Sequence, residues 1–201
     1  MDKTRVVMKH FKKNDQILFS ISRQVGIPAL EIRTPDYYFY SLCREIIGQQ
    51  LAGSAANAIF GRFEKLFARG KVTPRCTLKL SEETIRNIGA SWAKARYIKD
   101  LARNVADGKL DLKSIEKLDD PEVIENLTQV KGIGPWTAEM FLMFTMGRED
   151  VFSHGDLGLR KAITKHYSLR NPSRGKIEKI SAKWSPYRTY ACRVLWKSLE
   201  L

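Results

Sequence analysis

The chain has 201 residues, 43% of them hydrophobic, and carries a formal net charge of +13. That length suits one sizeable domain or two small lobes, and the apolar share supports a packed core, which excludes wholesale disorder. No apolar run approaches the length of a bilayer-spanning helix, and the positive surplus suits a polyanion whose counterions it would release, although a generally basic surface with no partner fits the charge equally well.

The segment Met1 to Lys13 is charged and lacks the apolar stretch of a secretory signal; it reads as a frayed basic terminus. Ile46, Ile47, Leu51, Ala55, Ile59, Phe63 and Leu66 recur at helical spacing, which predicts one long helix or a helix pair over 36–68. Lys71-Val72-Thr73 is the one short strand candidate, and it stops at Pro74. Ser81-Glu82-Glu83 opens a helix around Thr84–Ile88, and Ile98, Leu101, Ala102 and Val105 mark another after Trp92. Thr34-Pro35, Asp120-Pro121, Gly134-Pro135, Asn171-Pro172 and Ser185-Pro186 each set a capping-capable residue before a proline at a first helical position. The reading is all-α, with about nine or ten short helices. Cys43, Cys76 and Cys192 are far apart and form no C-x-x-C pair. They predict reduced thiols rather than a zinc site, an iron–sulfur cluster or a disulfide framework.

Leu127-Thr128-Gln129-Val130-Lys131-Gly132-Ile133-Gly134-Pro135-Trp136-Thr137-Ala138 is the most informative segment. An apolar helix, 121–127, leads into two glycines flanking one apolar residue. Pro135 then launches a helix carrying Trp136, Met140, Met143 and Phe144 along one side. Gly132 and Gly134 permit a tight turn and leave backbone N–H groups uncovered at a helix N-terminus, where partial positive charge favours a phosphate. Ile133 would plug the turn into the core. The pattern fits a helix–hairpin–helix that grips a DNA backbone without reading sequence; an ordinary interhelical turn is the simpler alternative.

The run Asp150-Val151-Phe152-Ser153-His154-Gly155-Asp156 then enters a further helix. Asp156 suits an N-cap, a catalytic carboxylate, or both in one residue.

Together these segments resemble the helix–hairpin–helix DNA glycosylase superfamily, and within it the 3-methyladenine DNA glycosylase II, or alkylpurine, branch. The interval from the hairpin to Asp156 matches. Ile46-Ile47-Gly48-Gln49-Gln50, Gly89-Ala90-Ser91-Trp92-Ala93-Lys94-Ala95, and the closing Trp184-Ser185-Pro186-Tyr187-Arg188 and Leu195-Trp196 resemble further family landmarks in the same order. The resemblance implies two helical lobes flanking a DNA- and base-binding cleft: about 1–35 with 160–201, and about 36–159 containing the hairpin 127–138. The chain reads as a compact version that starts almost at the first family helix.

The resemblance further implies residue roles. Such enzymes flip a damaged nucleotide into a pocket. Gln50 or Leu51 would be the wedge that fills the gap, and Asp156 the catalytic carboxylate. Trp136, Met140 and Trp196 would line the base pocket, where electron-rich rings suit a cationic base. Met140 stands where a near relative has a tyrosine. Gly132, Ile133, Gly134 and Thr137 would hold the DNA backbone. The carbonyls of Thr128, Val130 and Ile133 would hold a monovalent cation, sodium or potassium. His154 reads as an incidental loop residue. Tyr37, Tyr38 and Phe39 read as packing aromatics, and Arg160, Lys161 and Lys165 as facing solvent or phosphate.

Relatives with strand-nicking lyase activity use a lysine two residues after the second hairpin glycine, where this chain has Trp136. The implied protein is therefore a monomeric, monofunctional glycosylase acting on alkylated purines in double-stranded DNA. It would need no cofactor, no iron–sulfur cluster and no membrane. It would work in the cytoplasm or nucleoid of a prokaryote, or the nucleus of a eukaryote. A glycosylase for uracil, hypoxanthine or an oxidised purine, a non-catalytic DNA-binding module, and a protein-interaction domain remain alternatives.

Overall fold

A computed structural model describes residues 2–201, and the described residues form helices, turns and loops without a strand. The chain divides into two compact units, Met1–Glu31 with Gly147–Leu201, and Ile32–Met146. There are twelve α-helices among the described residues, more than the sequence suggested, because several last only two turns.

The unit formed by the middle of the chain holds α3 (Tyr38–Gly48), α4 (Gly53–Glu64), α5 (Pro74–Lys79), α6 (Glu82–Asn87), α7 (Trp92–Ala106), α8 (Asp120–Thr128) and α9 (Pro135–Phe144). The long apolar repeat is thus a helix pair, broken at 49–52, where Gln50 adopts φ 57°. Helix α7 is central: it packs against α3, α5 and α6 and buries Ala95, Ile98, Leu101 and Ala102 on one side. Thr73, expected to close a strand, instead caps α5 by accepting the N–H of Cys76 at 3.3 Å. Asp119 rather than Asp120 caps α8. It forms a capping box with Glu122 that satisfies two orphan backbone donors at once.

The unit containing both chain ends holds α1 (Lys3–Asn14), α2 (Gln16–Val25), α10 (Leu157–His166), α11 (Arg174–Ser181) and α12 (Arg188–Lys197). Apart from Met1, which lies outside the described residues, the N-terminal segment is not frayed. Asp2 caps α1, and Val7 and Phe11 bury one face of it. Asp15 caps α2 and accepts hydrogen bonds from Tyr167 Oη at 2.7 Å and Trp184 Nε1 at 2.9 Å, so a buried carboxylate is fully used. Two expected helix starts fail. Ser173, not Asn171, caps α11, and Ser185 gives its hydroxyl to Asp150 while α12 begins only at Arg188.

The second boundary between units also differs from expectation. It falls between Met146 and Gly147, not near 159, so the segment carrying Asp156 belongs with the chain ends. Helix α12 holds it there. Thr189 Oγ1 accepts from Val151 N at 3.0 Å and donates to Arg148 O at 2.6 Å, Thr189 N donates to Glu149 O at 3.0 Å, and Asp150 grips Arg188.

Candidate active site and nucleic-acid interface

In the unit with the chain ends, Asp156 serves as the N-cap of α10. Its Oδ1 accepts the N–H of Leu159 at 2.7 Å and the indole N–H of Trp196 at 2.9 Å. The helix N-terminus and the indole donor together fix the position of this carboxylate. Trp196, expected at the base pocket, therefore has a definite task in holding Asp156. Gly158 leaves the space this requires: a Cβ there would lie 3.1 Å from Asp156 Oδ1 and 3.2 Å from the Trp196 ring. Leu157, between them, is among the most exposed apolar residues.

The loop before Asp156 is fastened by charge. Arg188 clasps Asp150 through Nε to Oδ1 at 2.7 Å and Nη2 to Oδ2 at 3.0 Å, and the Ser185 hydroxyl adds a third bond. Burial opposes the charge of Asp150, but the Arg188 and Ser185 bonds outweigh it and hold the carboxyl below its ordinary range. His154 packs edge-on against Phe152 and lies 4.0 Å from Glu178. Burial, ahead of the opposing Glu178 carboxylate, lowers its pKa, so the ring is neutral near pH 7. On α10, Arg160 is tied to Asn171 at 2.9 Å, whereas Lys161 and Lys165 are exposed.

In the other unit the hairpin forms between α8 and α9 as expected, with Gly132 at φ 86° and Gly134 as the N-cap of α9. A Cβ on Gly132 would overlap the Tyr97 ring, so both conformation and space require glycine there. Ile133 is buried and hydrogen-bonds through its N–H to Val130 O at 3.1 Å. The N–H groups of Gly132 and Gly134 have no partner among the described residues, which leaves them open to an anion.

Two expected contact residues are placed differently. Thr137 is 3% exposed, and its hydroxyl accepts a hydrogen bond from Gln49 at 3.1 Å, so it braces the hairpin from within rather than facing outward. Met140 is 4% exposed and packs in the core, while Trp136, one turn earlier on α9, is 39% exposed and offers an aromatic face. Gln50 and Leu51 sit exposed at the α3–α4 turn, where a wedge is expected. Tyr38 and Phe39 are core, with Tyr38 edge-on to Phe141 at 5.1 Å.

Sequence reasoning missed Gln49, Lys94, Asp100 and Glu45. Gln49 Nε2 donates to Gly132 O at 2.8 Å as well as to Thr137. Lys94 Nζ donates to Ile47 O at 2.8 Å and Gln49 O at 2.7 Å, and the Asp100 carboxylate accepts the N–H of Lys131 at 3.1 Å. The signal was present only as spacing: Lys94, Tyr97 and Asp100 share one side of α7. The side chain of Glu45, on α3, makes no hydrogen bond among the described residues, although its backbone carbonyl accepts the N–H of Gln49 at 3.1 Å. Burial raises its carboxyl to about 7, with Arg44 offsetting only part of the effect.

An all-helical chain with this hairpin, followed by a carboxylate capping the next helix, defines a protein of the helix–hairpin–helix DNA-repair class. Residues 43–186 match the model of the HhH-GPD superfamily base excision DNA repair proteins, and the chain belongs to that family. Among similar curated proteins, a putative DNA-3-methyladenine glycosylase of Bacillus subtilis is 32% identical over 96% of this chain and 69% of its own length. DNA-3-methyladenine glycosylase 1 of Schizosaccharomyces pombe is 37% identical over 81% of this chain and 73% of its own. Among solved structures, a 3-methyladenine DNA glycosylase of the same yeast in complex with abasic DNA superposes with a TM-score of 0.87 at 33% identity, covering 97% of each chain.

Proposed function

We propose that this protein is a monofunctional DNA glycosylase of base excision repair that flips alkylated purines, of the 3-methyladenine and 7-methylguanine type, out of duplex DNA and removes them by hydrolysis. The single observation that carries the reading is the position of Asp156, held by a helix N-terminus and an indole N–H in a chain of this family. The relatives named for 3-methyladenine support the substrate class.

An alkylated purine carries positive charge and leaves readily, so the enzyme has mainly to stabilise the sugar as C1′ becomes oxocarbenium-like. The Asp156 carboxylate supplies that negative charge and accepts a proton from the attacking water. Water oxygen bonds to C1′ as the C1′–N bond breaks, and the neutral base departs. Trp136 offers its face to the cationic base. Gln50 or Leu51 fills the gap left in the duplex, and the open N–H groups of the hairpin hold a phosphate.

The position that would carry a Schiff-base lysine holds Trp136, and Lys131 lies on the other side of the turn. This supports hydrolysis without strand nicking. The carbonyls of Thr128, Val130 and Ile133 would hold a monovalent cation. Those of Thr128 and Ile133 accept no backbone bond outside the helices, and Val130 O accepts one, so oxygen lone pairs suited to a hard cation remain. The cation would add positive charge beside the bound phosphate. The enzyme works as a monomer in this reading.

Mass analysis of bases released from methylated DNA tests the substrate. The expected products are 3-methyladenine and 7-methylguanine; release of uracil alone from a panel of single-lesion duplexes would overturn the assignment. Asp156→Asn is expected to abolish release while retaining DNA affinity. Borohydride is expected to trap no covalent complex, and a trapped one would refute the monofunctional reading.

A further inference from the structure

Helix α7 touches both DNA-facing elements of its unit, and it does so with one side. Lys94 donates to Ile47 O and Gln49 O at the end of α3, immediately before Gln50 and Leu51. Asp100 accepts the N–H of Lys131, immediately before the hairpin glycines. Tyr97, between them, occupies the space that a Cβ on Gly132 would need. A second tie bypasses α7 altogether: Gln49 Nε2 spans from the α3–α4 turn to Gly132 O and Thr137 Oγ1.

These bonds have a shared character. The α3 carbonyls are helix-end acceptors with no helical partner of their own, and an ammonium is the strongest donor for them. Burial lowers the pKa of Lys94. A half-buried lysine whose stem costs desolvation is a poor choice for stability alone, since a local glycine cap would satisfy the same carbonyls. What a local cap cannot do is fix the turn relative to another element. Gln50, held at φ 57° in a conformation that costs a non-glycine residue strain, also needs its flanks fixed.

We propose that α7 is a strut that locks the Gln50–Leu51 turn to the hairpin, with Lys94 and Gln49 as positioning residues, so that gripping the DNA backbone and filling the gap in the duplex occur as one rigid event. The inference rests on the glycosylase reading for the wedge role of Gln50 and Leu51. Its consequence is that the hairpin alone sets affinity for any duplex, while the strut sets discrimination in favour of a duplex with a missing base.

The test uses the full chain and two duplexes, one intact and one containing a stable abasic-site analogue with 2-aminopurine beside it. Affinity is read by anisotropy, and unstacking by 2-aminopurine fluorescence. Lys94→Met and Gln49→Met are each expected to bind intact duplex within about threefold of wild type, yet to lose about tenfold in preference for the abasic duplex, with a reduced fluorescence change. Lys94→Arg, which can still donate to two carbonyls, is expected to recover part of the preference. In a Leu51→Ala background, Lys94→Met should add little, because the strut acts through the wedge. Full preference in folded Lys94→Met and Gln49→Met, or additive losses with Leu51→Ala, would overturn the proposal, as would a wild type that does not distinguish the two duplexes. Neither readout needs base release, so an inactive wild type that still prefers the abasic duplex would sink the glycosylase reading and leave the strut standing.

Discussion

Replacing Glu45 by glutamine should stabilise the protein, and by an amount that depends on pH. The Glu45 carboxylate, on α3, has no hydrogen-bond partner among the described residues, and burial raises its pKa from 4.5 to about 7. Because the folded value lies above the unfolded one, the folded state holds this proton more tightly. The group costs nothing below the unfolded value; the cost grows between 4.5 and about 7 and is complete above that. A shift from 4.5 to about 7 corresponds to about 3 kcal/mol at about 1.4 kcal/mol per unit. Glutamine keeps the shape and removes the charge. For a chain of this size, about 3 kcal/mol raises the melting temperature by about 6–12 °C. Thermal unfolding followed by circular dichroism at pH 8.5 and at pH 4.5 separates the effect from a generic packing change. The gain is expected at pH 8.5 and should shrink to near zero at pH 4.5. An equal gain at both values, or none at pH 8.5, would refute the account of a carboxylate held against its solvation.

Three further changes probe the site and its supports. Gly158→Ala places a methyl 3.1 Å from Asp156 Oδ1 and 3.2 Å from Trp196, and should lower kcat about 10–100-fold while DNA affinity stays; wild-type turnover would show that the Trp196 bond is not needed. Asp150→Asn should cost about 1–2 kcal/mol near neutral pH, a figure reduced because both partners are partly exposed. The pKa of Asp150 is depressed in the fold, so its contribution is present above the unfolded value and fades as pH falls through the folded one. Denaturant midpoints of the two proteins should therefore converge in acid, and a constant gap would count against the ion pair. Lys99 donates to Leu78 O and Leu80 O, both at 2.6 Å, at the end of α5. Lys99→Met should cost about 2–3 kcal/mol by urea unfolding, with the carbonyls left unpaired, and a neutral result would mean that water replaces the ammonium there.

Much of the protein is written in short-range chemistry. Proline and glycine placement gives the hairpin, and Ser81, Gly134 and Asp156 cap the helices that follow them, because a cap involves residues within one turn. The apolar spacing of 36–68 gives the α3–α4 pair for the same reason. Failures arose where two neighbours competed for one local role, as when Ser173 capped α11 in place of Asn171. What tertiary structure alone decided is which distant groups meet. Trp196 reaches Asp156 across 40 positions, Gln49 reaches Gly132 across 83, and Thr189 and Arg188 draw 148–151 into the unit of the chain ends. Such bonds leave no periodicity, because each depends on how whole helices pack. The sequence by itself could point to Asp156 as cap and carboxylate, whereas only the packing of α12 against α10 supplies the indole that orients it.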